Sequence, residues 1–375
     1  MRKWMVKLHL WVSLVVGLFF VLICLTGSVL VLREDIQKWV NPELYETTPG
    51  RVSVEVVLAK TAALYPEYHV DQIESPEMAN GRYHVRLSKK GEAQRELYLD
   101  PGTGNVLGQS GAGAKFVNLT LKLHRYLLLG DLFGRQTAQY VNAVMGVGLI
   151  VVLGTGAYLW WPGVRRFALG FRIVRTKGKL MFNRDLHKSL GIVSVPFLLV
   201  LALTGTAFTL DKFVFGWFGS PTQEAVPKSA TQVKAEGSAL PAGQLLENVQ
   251  RAYPEAKWMN LKLPTDGKQA VTVSLEEGYN PADIGNATAY VNPYTGQVLH
   301  KTNPHAGITL YQRWKRGLHF ASWGGVFSKV LYVLIGLLPL FFMVTGLVIW
   351  RLKANLRRLK KTPQPAVAPQ ADFQV

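Results

Sequence analysis

The sequence predicts a mainly α integral membrane protein: four transmembrane helices from a tandem repeat, with two small α+β domains outside the bilayer. Three observations predict it. Four stretches, near 8–32, 138–161, 187–211 and 327–350, are apolar over the roughly 20 residues that a bilayer crossing takes. Basic residues crowd the ends that a four-helix topology puts on one side. The two long segments between helices 1 and 2 and between helices 3 and 4 share motifs.

In chain order, residues 1–32 form the cytoplasmic N-terminus and transmembrane helix 1. Met1-Arg2-Lys3 before an apolar run resembles a signal peptide, but the run is too long and no small-x-small site follows, so the helix reads as retained. Residues 33–114 read as the first α+β domain, with a helical stretch VEVVLAKTAALYP followed by alternating strands. Asp100-Pro101-Gly102-Thr103-Gly104 closes a hairpin. Residues 115–161 carry an interfacial Leu-His segment and helix 2, 162–186 a basic cytoplasmic loop, and 187–211 helix 3. Residues 212–310 hold a polar linker (219–240) and a second α+β domain, with GQLLENVQRAYP and the turn Asn292-Pro293-Tyr294-Thr295-Gly296. Residues 311–350 repeat the Leu-His segment and helix, and 351–375 form a basic tail whose Pro- and Ala-rich end, 362–375, is expected to be disordered.

The repeat is explicit in the motifs. Tyr65-Pro66-Glu67 matches Tyr253-Pro254-Glu255, and LYLDPGTGNVLG (97–108) matches AYVNPYTGQVLH (289–300). Each copy crosses the membrane twice, so both have one orientation and are related by an axis along the membrane normal.

The net charge of +18 has a topological explanation. Arg2, Lys3 and Lys7 precede helix 1. Arg165, Arg166, Arg172, Arg175, Lys177, Lys179 and Arg184 fill the loop between helices 2 and 3, and Arg351, Lys353, Arg357, Arg358, Lys360 and Lys361 follow helix 4. The positive-inside rule then puts both termini in the cytoplasm. With no recognition motif beside the charge, nucleic acid is not an expected partner; membrane lipid is. Cys24 is the one cysteine, which excludes an intramolecular disulfide, a cysteine-ligated iron–sulfur cluster and a CxxCH-attached haem.

Four histidines follow the repeat. His9 and His187 each stand sixteen residues before a Leu-Thr-Gly, and His124 and His319 lie in the Leu-His segments LHRYLLLGD and LHFASWGG. A two-fold axis brings equivalent residues to one depth, pairing His9 with His187 near the cytoplasmic face and His124 with His319 near the outer face. Two facing imidazoles in a helix bundle are one way to hold a redox haem. The expected cofactors are therefore two non-covalent, bis-histidine b-type haems. Gly27 and Gly205 lie about 27 Å along their helices from His9 and His187, at the outer level, while Gly156 and Gly346 lie at the inner level. Each would let a porphyrin edge approach the backbone; the plainer reading is close helix packing by small residues.

Arg125, Lys188 and Arg316 could pair with haem propionates, or simply snorkel to the interface. His305 is a reserve candidate for an outer ligand, whereas His69, His84 and His300 read as surface residues of the α+β domains. Trp160, Trp161 and Trp350 read as the cytoplasmic aromatic belt, and Trp314 and Trp323 flank His319. Asp131 and Asp185 read as caps or loop residues, and no catalytic carboxylate is expected. No GxGxxG follows a strand, so electrons would come from a separate reductase, a diffusing flavin or the quinol pool.

The LHxW…LTG opening, the YPE…DPxTG segment and the LHR/LHF…TG helices resemble the PepSY-associated transmembrane family, over about residues 5 to 352. That resemblance implies PepSY-like periplasmic domains, akin to a domain of peptidase propeptides, and a bacterial inner-membrane location. Members include FoxB-type ferric-siderophore reductases, which implies an oxidoreductase whose acceptor is a periplasmic ferric siderophore. One electron would release the iron, because hard oxygen donors hold Fe(II) far less well than Fe(III). Two other readings stay open: a non-redox membrane-anchored peptide-binding or protease-regulating protein, and a haem conduit to another periplasmic redox acceptor.

Overall fold

The computed structural model describes residues 1–359, so the expected disordered end lies outside the described residues. Four helices are long and apolar enough to cross a membrane: α1 (Arg2–Val31), α6 (Arg135–Trp160), α7 (Gly178–Trp217) and α11 (Gly325–Leu359). The chain is a membrane protein. Each helix begins before its apolar stretch, most of all α7, whose lead-in Lys179–Asp185 contains no helix breaker. His187 therefore sits in the third turn of its helix rather than at its start.

The remaining elements are, in order, α2 (Arg33–Val40), a 3-10 turn (Pro42–Tyr45), α3 (Val54–Leu64), β1 (His69–Glu74), β2 (Tyr83–Ser88), β3 (Arg95–Leu99), β4 (Val106–Gln109), α4 (Ala112–Tyr126) and α5 (Gly130–Phe133) before α6. A 3-10 segment (Val164–Phe171) lies between α6 and α7. After α7 come α8 (Lys228–Thr231), α9 (Ala242–Ala252), β5 (Lys257–Lys262), β6 (Val271–Glu276), β7 (Ala287–Val291), β8 (Val298–Lys301) and α10 (Gly307–Phe320). The helix–four strands–helix order thus occurs twice. The chain forms two compact units. The first comprises Met1–Val21, Gly148–Leu199 and the chain from Leu337; the second comprises Leu22–Val147 and Val200–Gly336.

In the second unit the strands form one antiparallel sheet, ordered β4-β3-β2-β1-β5-β6-β7-β8. Two separate small sheets were expected. Instead β1 pairs with β5 through Gln72↔Lys262, Ile73↔Leu261 and Glu74↔Asn260. The pairing removes two edges whose backbone N–H and C=O groups would otherwise stay open. Alternation puts Ile73, Val85, Leu87, Leu97 and Leu99 of one half and Leu261, Val273, Leu275 and Val291 of the other on one face. There they share a core with Val54 and Val57 of α3 and Leu245 and Val249 of α9.

The opposite face is polar but not open. His84, expected at the surface, is 8% exposed, with Nδ1 2.9 Å from Glu74 and Nε2 3.8 Å from Glu96. Burial alone would lower its pKa, yet the hydrogen bonds and charges of the two carboxylates outweigh that and push it up to about 9.

In the first unit, Trp160 is 8% exposed and is not part of a lipid-facing belt, unlike the exposed Trp161 and Trp350. It packs edge-on against Phe167 and Phe171 of the 3-10 segment, and its indole N–H donates to the Gly170 carbonyl at 3.1 Å. Asp185 lies within α7. It is buried, accepts the Val174 N–H at 3.3 Å and faces Arg184 and Lys188, tying the basic loop to the helix that carries His187.

Candidate functional site

The two Leu-His helices stop within a turn of their histidines. Leu127 (φ 51°) ends α4 three residues after His124, and Ala321 (φ 58°) ends α10 two residues after His319. Both occupy the left-handed region that a Cβ disfavours. The capping N–H groups of Leu127 and Ala321 donate to the carbonyls of Leu123 and Gly317. Such strain persists where the surroundings over-determine it, as functional sites often do.

In the second unit, His124 Nδ1 lies 2.9 Å from the Ile23 carbonyl and 3.2 Å from Thr26 Oγ1, both on α1. His319 Nδ1 lies 3.1 Å from Thr204 Oγ1 on α7. The two rings are neighbours, with centroids 6.2 Å apart and planes tilted at 49°. Two imidazoles on one metal ion, each bonded at about 2.0–2.1 Å through a nitrogen about 1.1 Å from its ring centroid, stand about 6.3 Å apart. The observed spacing fits a bis-histidine site. Phe208 packs edge-on to His319 at 5.4 Å. Both residues are half-buried, and the crowding of protein around them lowers their pKa, His319 to about 3 with the charge of His124 adding to the effect. Both are neutral, the form that offers a lone pair.

The first unit repeats the histidine–threonine contacts. His9 Nδ1 lies 3.0 Å from Thr155 Oγ1 and 3.2 Å from the Val152 carbonyl of α6. His187 Nδ1 lies 2.8 Å from Thr345 Oγ1 of α11, with Phe342 edge-on at 5.3 Å. His9 and His187 are within charge–charge range of each other.

The four glycines lie against these rings. A Cβ on Gly27 would stand 3.2 Å from Cε1 of His124, on Gly205 2.8 Å from that of His319, on Gly156 3.3 Å from that of His9, and on Gly346 3.8 Å from that of His187. The space they leave is filled by the imidazole itself, where sequence reasoning assigned it to a porphyrin edge. The four threonines were missed as partners. Their signal was present, since each of these glycines follows a threonine.

The other candidates are less central. Arg316 is held by Asp283 at 2.7 Å, which also binds Arg33 at 2.9 Å, and it stacks on Phe320. Arg125 is exposed over Tyr126, Lys188 pairs with Asp185 at 3.8 Å, and His305 sits in an exposed loop. Asp131 is exposed, 3.6 Å from Lys122. Trp314 neighbours Tyr279, and the Trp323 carbonyl accepts its hydroxyl at 3.2 Å. Among the described residues no three His, Cys, Asp or Glu side chains converge as a protein-only metal site would require. Two histidines suffice when the metal comes within a macrocycle.

A family model described as the PepSY-associated TM region matches residues 6–353. No curated protein matches the chain.

Proposed function

Because the chain belongs to the family of the PepSY-associated TM region, we propose that it is a di-haem electron-transfer protein of the bacterial inner membrane that reduces periplasmic ferric siderophores. The observation that carries this reading is the neighbouring pair His124 and His319, 6.2 Å apart, together with the matching His–Thr–Gly contacts at His9 and His187. Two b-type haems, one held by His9 and His187 and one by His124 and His319, would supply one-electron redox chemistry at each face of the membrane.

The chain's residues prepare that chemistry. Neutral imidazoles at His124 and His319 present lone pairs without first losing a proton. Phe208 and Phe320, packed on His319, keep water from one side of its ring. The net reaction moves one electron from a cytoplasmic reductase, flavin or quinol to Fe(III) in the chelate, leaving Fe(II) and the iron-free siderophore. No protein group need donate or accept a proton, and no carboxylate is assigned to catalysis.

The test is an air-oxidised against a dithionite-reduced visible spectrum of the detergent-purified protein, with haem quantified per chain. Split b-type α/β bands and about two haems per chain are expected for two bis-histidine sites. Anaerobic reoxidation by a ferric siderophore then addresses the acceptor. A colourless protein after haem-supplemented expression would overturn the reading and favour the sheet as a peptide-binding module.

A further inference from the structure

We propose that Thr26, Thr155, Thr204 and Thr345 are positioning residues that fix the tautomer of the four histidines, and that His187 and His319 depend on their threonines alone. The tautomer assignment stands on the protein's own hydrogen bonds. Its redox consequence rests on the haem reading above.

Each threonine hydroxyl has its hydrogen engaged within its own helix. Thr26 donates to the Leu22 carbonyl at 2.7 Å, Thr155 to Val151 at 2.8 Å, Thr204 to Val200 at 2.7 Å and Thr345 to Phe341 at 2.9 Å. What Oγ1 offers the facing imidazole is therefore a lone pair, and the hydrogen between them comes from Nδ1. Two of the histidines have a second reason to carry it there. Nδ1 of His124 and of His9 also meets the carbonyls of Ile23 and Val152. A carbonyl only accepts. Each lies three residues before its threonine, so one turn of helix provides both acceptors.

His187 and His319 differ. The equivalent carbonyls are those of Phe342 and Leu201, which accept from Thr345 and Thr204, each at 3.3 Å. Among the described residues neither imidazole forms a hydrogen bond to its carbonyl; the Phe342 and Phe208 rings pack against them instead. Only Thr345 Oγ1 and Thr204 Oγ1 hold the hydrogen on Nδ1 and leave Nε2 bare.

An acceptor on Nδ1–H makes the other ring nitrogen a stronger base and fixes the ring's orientation, and losing such a partner typically costs about 10–100-fold in metal affinity. A stronger base favours ferric over ferrous iron. Removing a threonine hydroxyl should therefore raise the midpoint potential of its own site. At His187 and His319 it should also release the ring to the Nε2–H tautomer, which cannot ligate through Nε2.

The experiment compares Thr345→Val with Thr26→Val, each beside its Thr→Ser counterpart, in the full-length protein. Histidine tautomers are read by side-chain nitrogen NMR on protein produced without haem; haem affinity and midpoint potential are read on loaded protein. Thr345→Val should mix the His187 tautomers and weaken binding at that site by about 10–100-fold. Thr26→Val should leave His124 as Nδ1–H on the Ile23 carbonyl, lose less than that, and raise the potential of its site. Serine should restore both. An unchanged His187 tautomer with unchanged affinity in Thr345→Val would overturn the proposal. If the wild type takes up no haem, the proposed function fails, while the NMR comparison still decides the tautomer assignment.

Discussion

Alanine at the four glycines should produce graded damage that follows the space beside each imidazole. At Gly205 the new Cβ would stand 2.8 Å from Cε1 of His319, and 3.5 and 3.7 Å from its ring nitrogens. Ordinary contact begins near 3.4 Å, so the ring must retreat by about 0.6 Å. Metal–ligand distances hold to about 0.2 Å, so a ring displaced that far leaves its bonding position. Overpacking of this kind costs about 1–3 kcal/mol. Replacing a helix-interior glycine by alanine returns up to about 1 kcal/mol, so the change at Gly205 is unfavourable on balance. At Gly346 the Cβ meets Cε1 of His187 at 3.8 Å, which is ordinary contact, and only the helix gain remains. Gly27 and Gly156, at 3.2 and 3.3 Å, fall between. The assay is haem per chain and thermal unfolding of the four single variants. Gly205→Ala should lose most haem, Gly27→Ala and Gly156→Ala less, and Gly346→Ala none, melting at or above wild type. Equal damage at Gly346 and Gly205, or no damage anywhere, would refute the reasoning.

Other perturbations probe the pairing and the second unit. His9→Ala or His187→Ala should remove one haem and leave the other, with His124→Ala and His319→Ala doing the reverse; equal loss from all four in a spectral titration would undo the pairing. Lys315 and Asp211 form a buried ion pair at 2.6 Å, with Tyr311 donating to the same carboxylate at 2.7 Å. Lys315→Met alone should cost about 3–5 kcal/mol in denaturant unfolding, while Lys315→Met with Asp211→Leu should recover much of it. No recovery would mean that the pair is not what Lys315 contributes. The His84 pKa is raised above its ordinary 6.5 to about 9, so its stabilisation is complete below 6.5 and is lost as pH rises through about 9. The amount is on the order of 3 kcal/mol, and His84→Gln should flatten stability against pH across that window. A slope unchanged by the substitution would remove His84 as its source.

What could be read from the chain was what local chemistry enforces. A bilayer demands length, so the four helices were visible, and Asp100–Gly104 and Asn292–Gly296 announced the hairpins β3–β4 and β7–β8. Pairing of β1 with β5 was not visible, because Gln72 and Lys262 carry no local sign of their partner. His84 on an alternating strand reads as solvent-facing; its cover comes from Tyr98, stacked at 4.8 Å, and from two carboxylates on neighbouring strands. Trp160 has the composition of a belt residue, and only the folding back of Gly170 shows otherwise. The histidines were legible because the repeat doubled them. The threonines were doubled too, but a hydroxyl in an apolar helix reads as bonding to its own backbone, which each also does. The second bond appears only once the facing helix is in place.

The join between β1 and β5 has a further consequence. The strands cross antiparallel, with residues of each half matched to their counterparts, the form of an isologous contact between two copies of one protomer. The histidines follow the same logic: His9 and His124 rest on threonines of their own half, as do His187 and His319, and each pair takes one member from each half. The chain is in effect two like halves joined by the loop between α6 and α7, so they meet at the millimolar effective level that a short tether gives. Covalent joining also frees the halves to diverge. The second half carries Asp211, Lys315 and Tyr311, where the equivalent places in the first hold Arg33, Thr120 and Phe116. A homodimer would have to carry any such change on both sides at once; here one side of the His124–His319 site has its own charges.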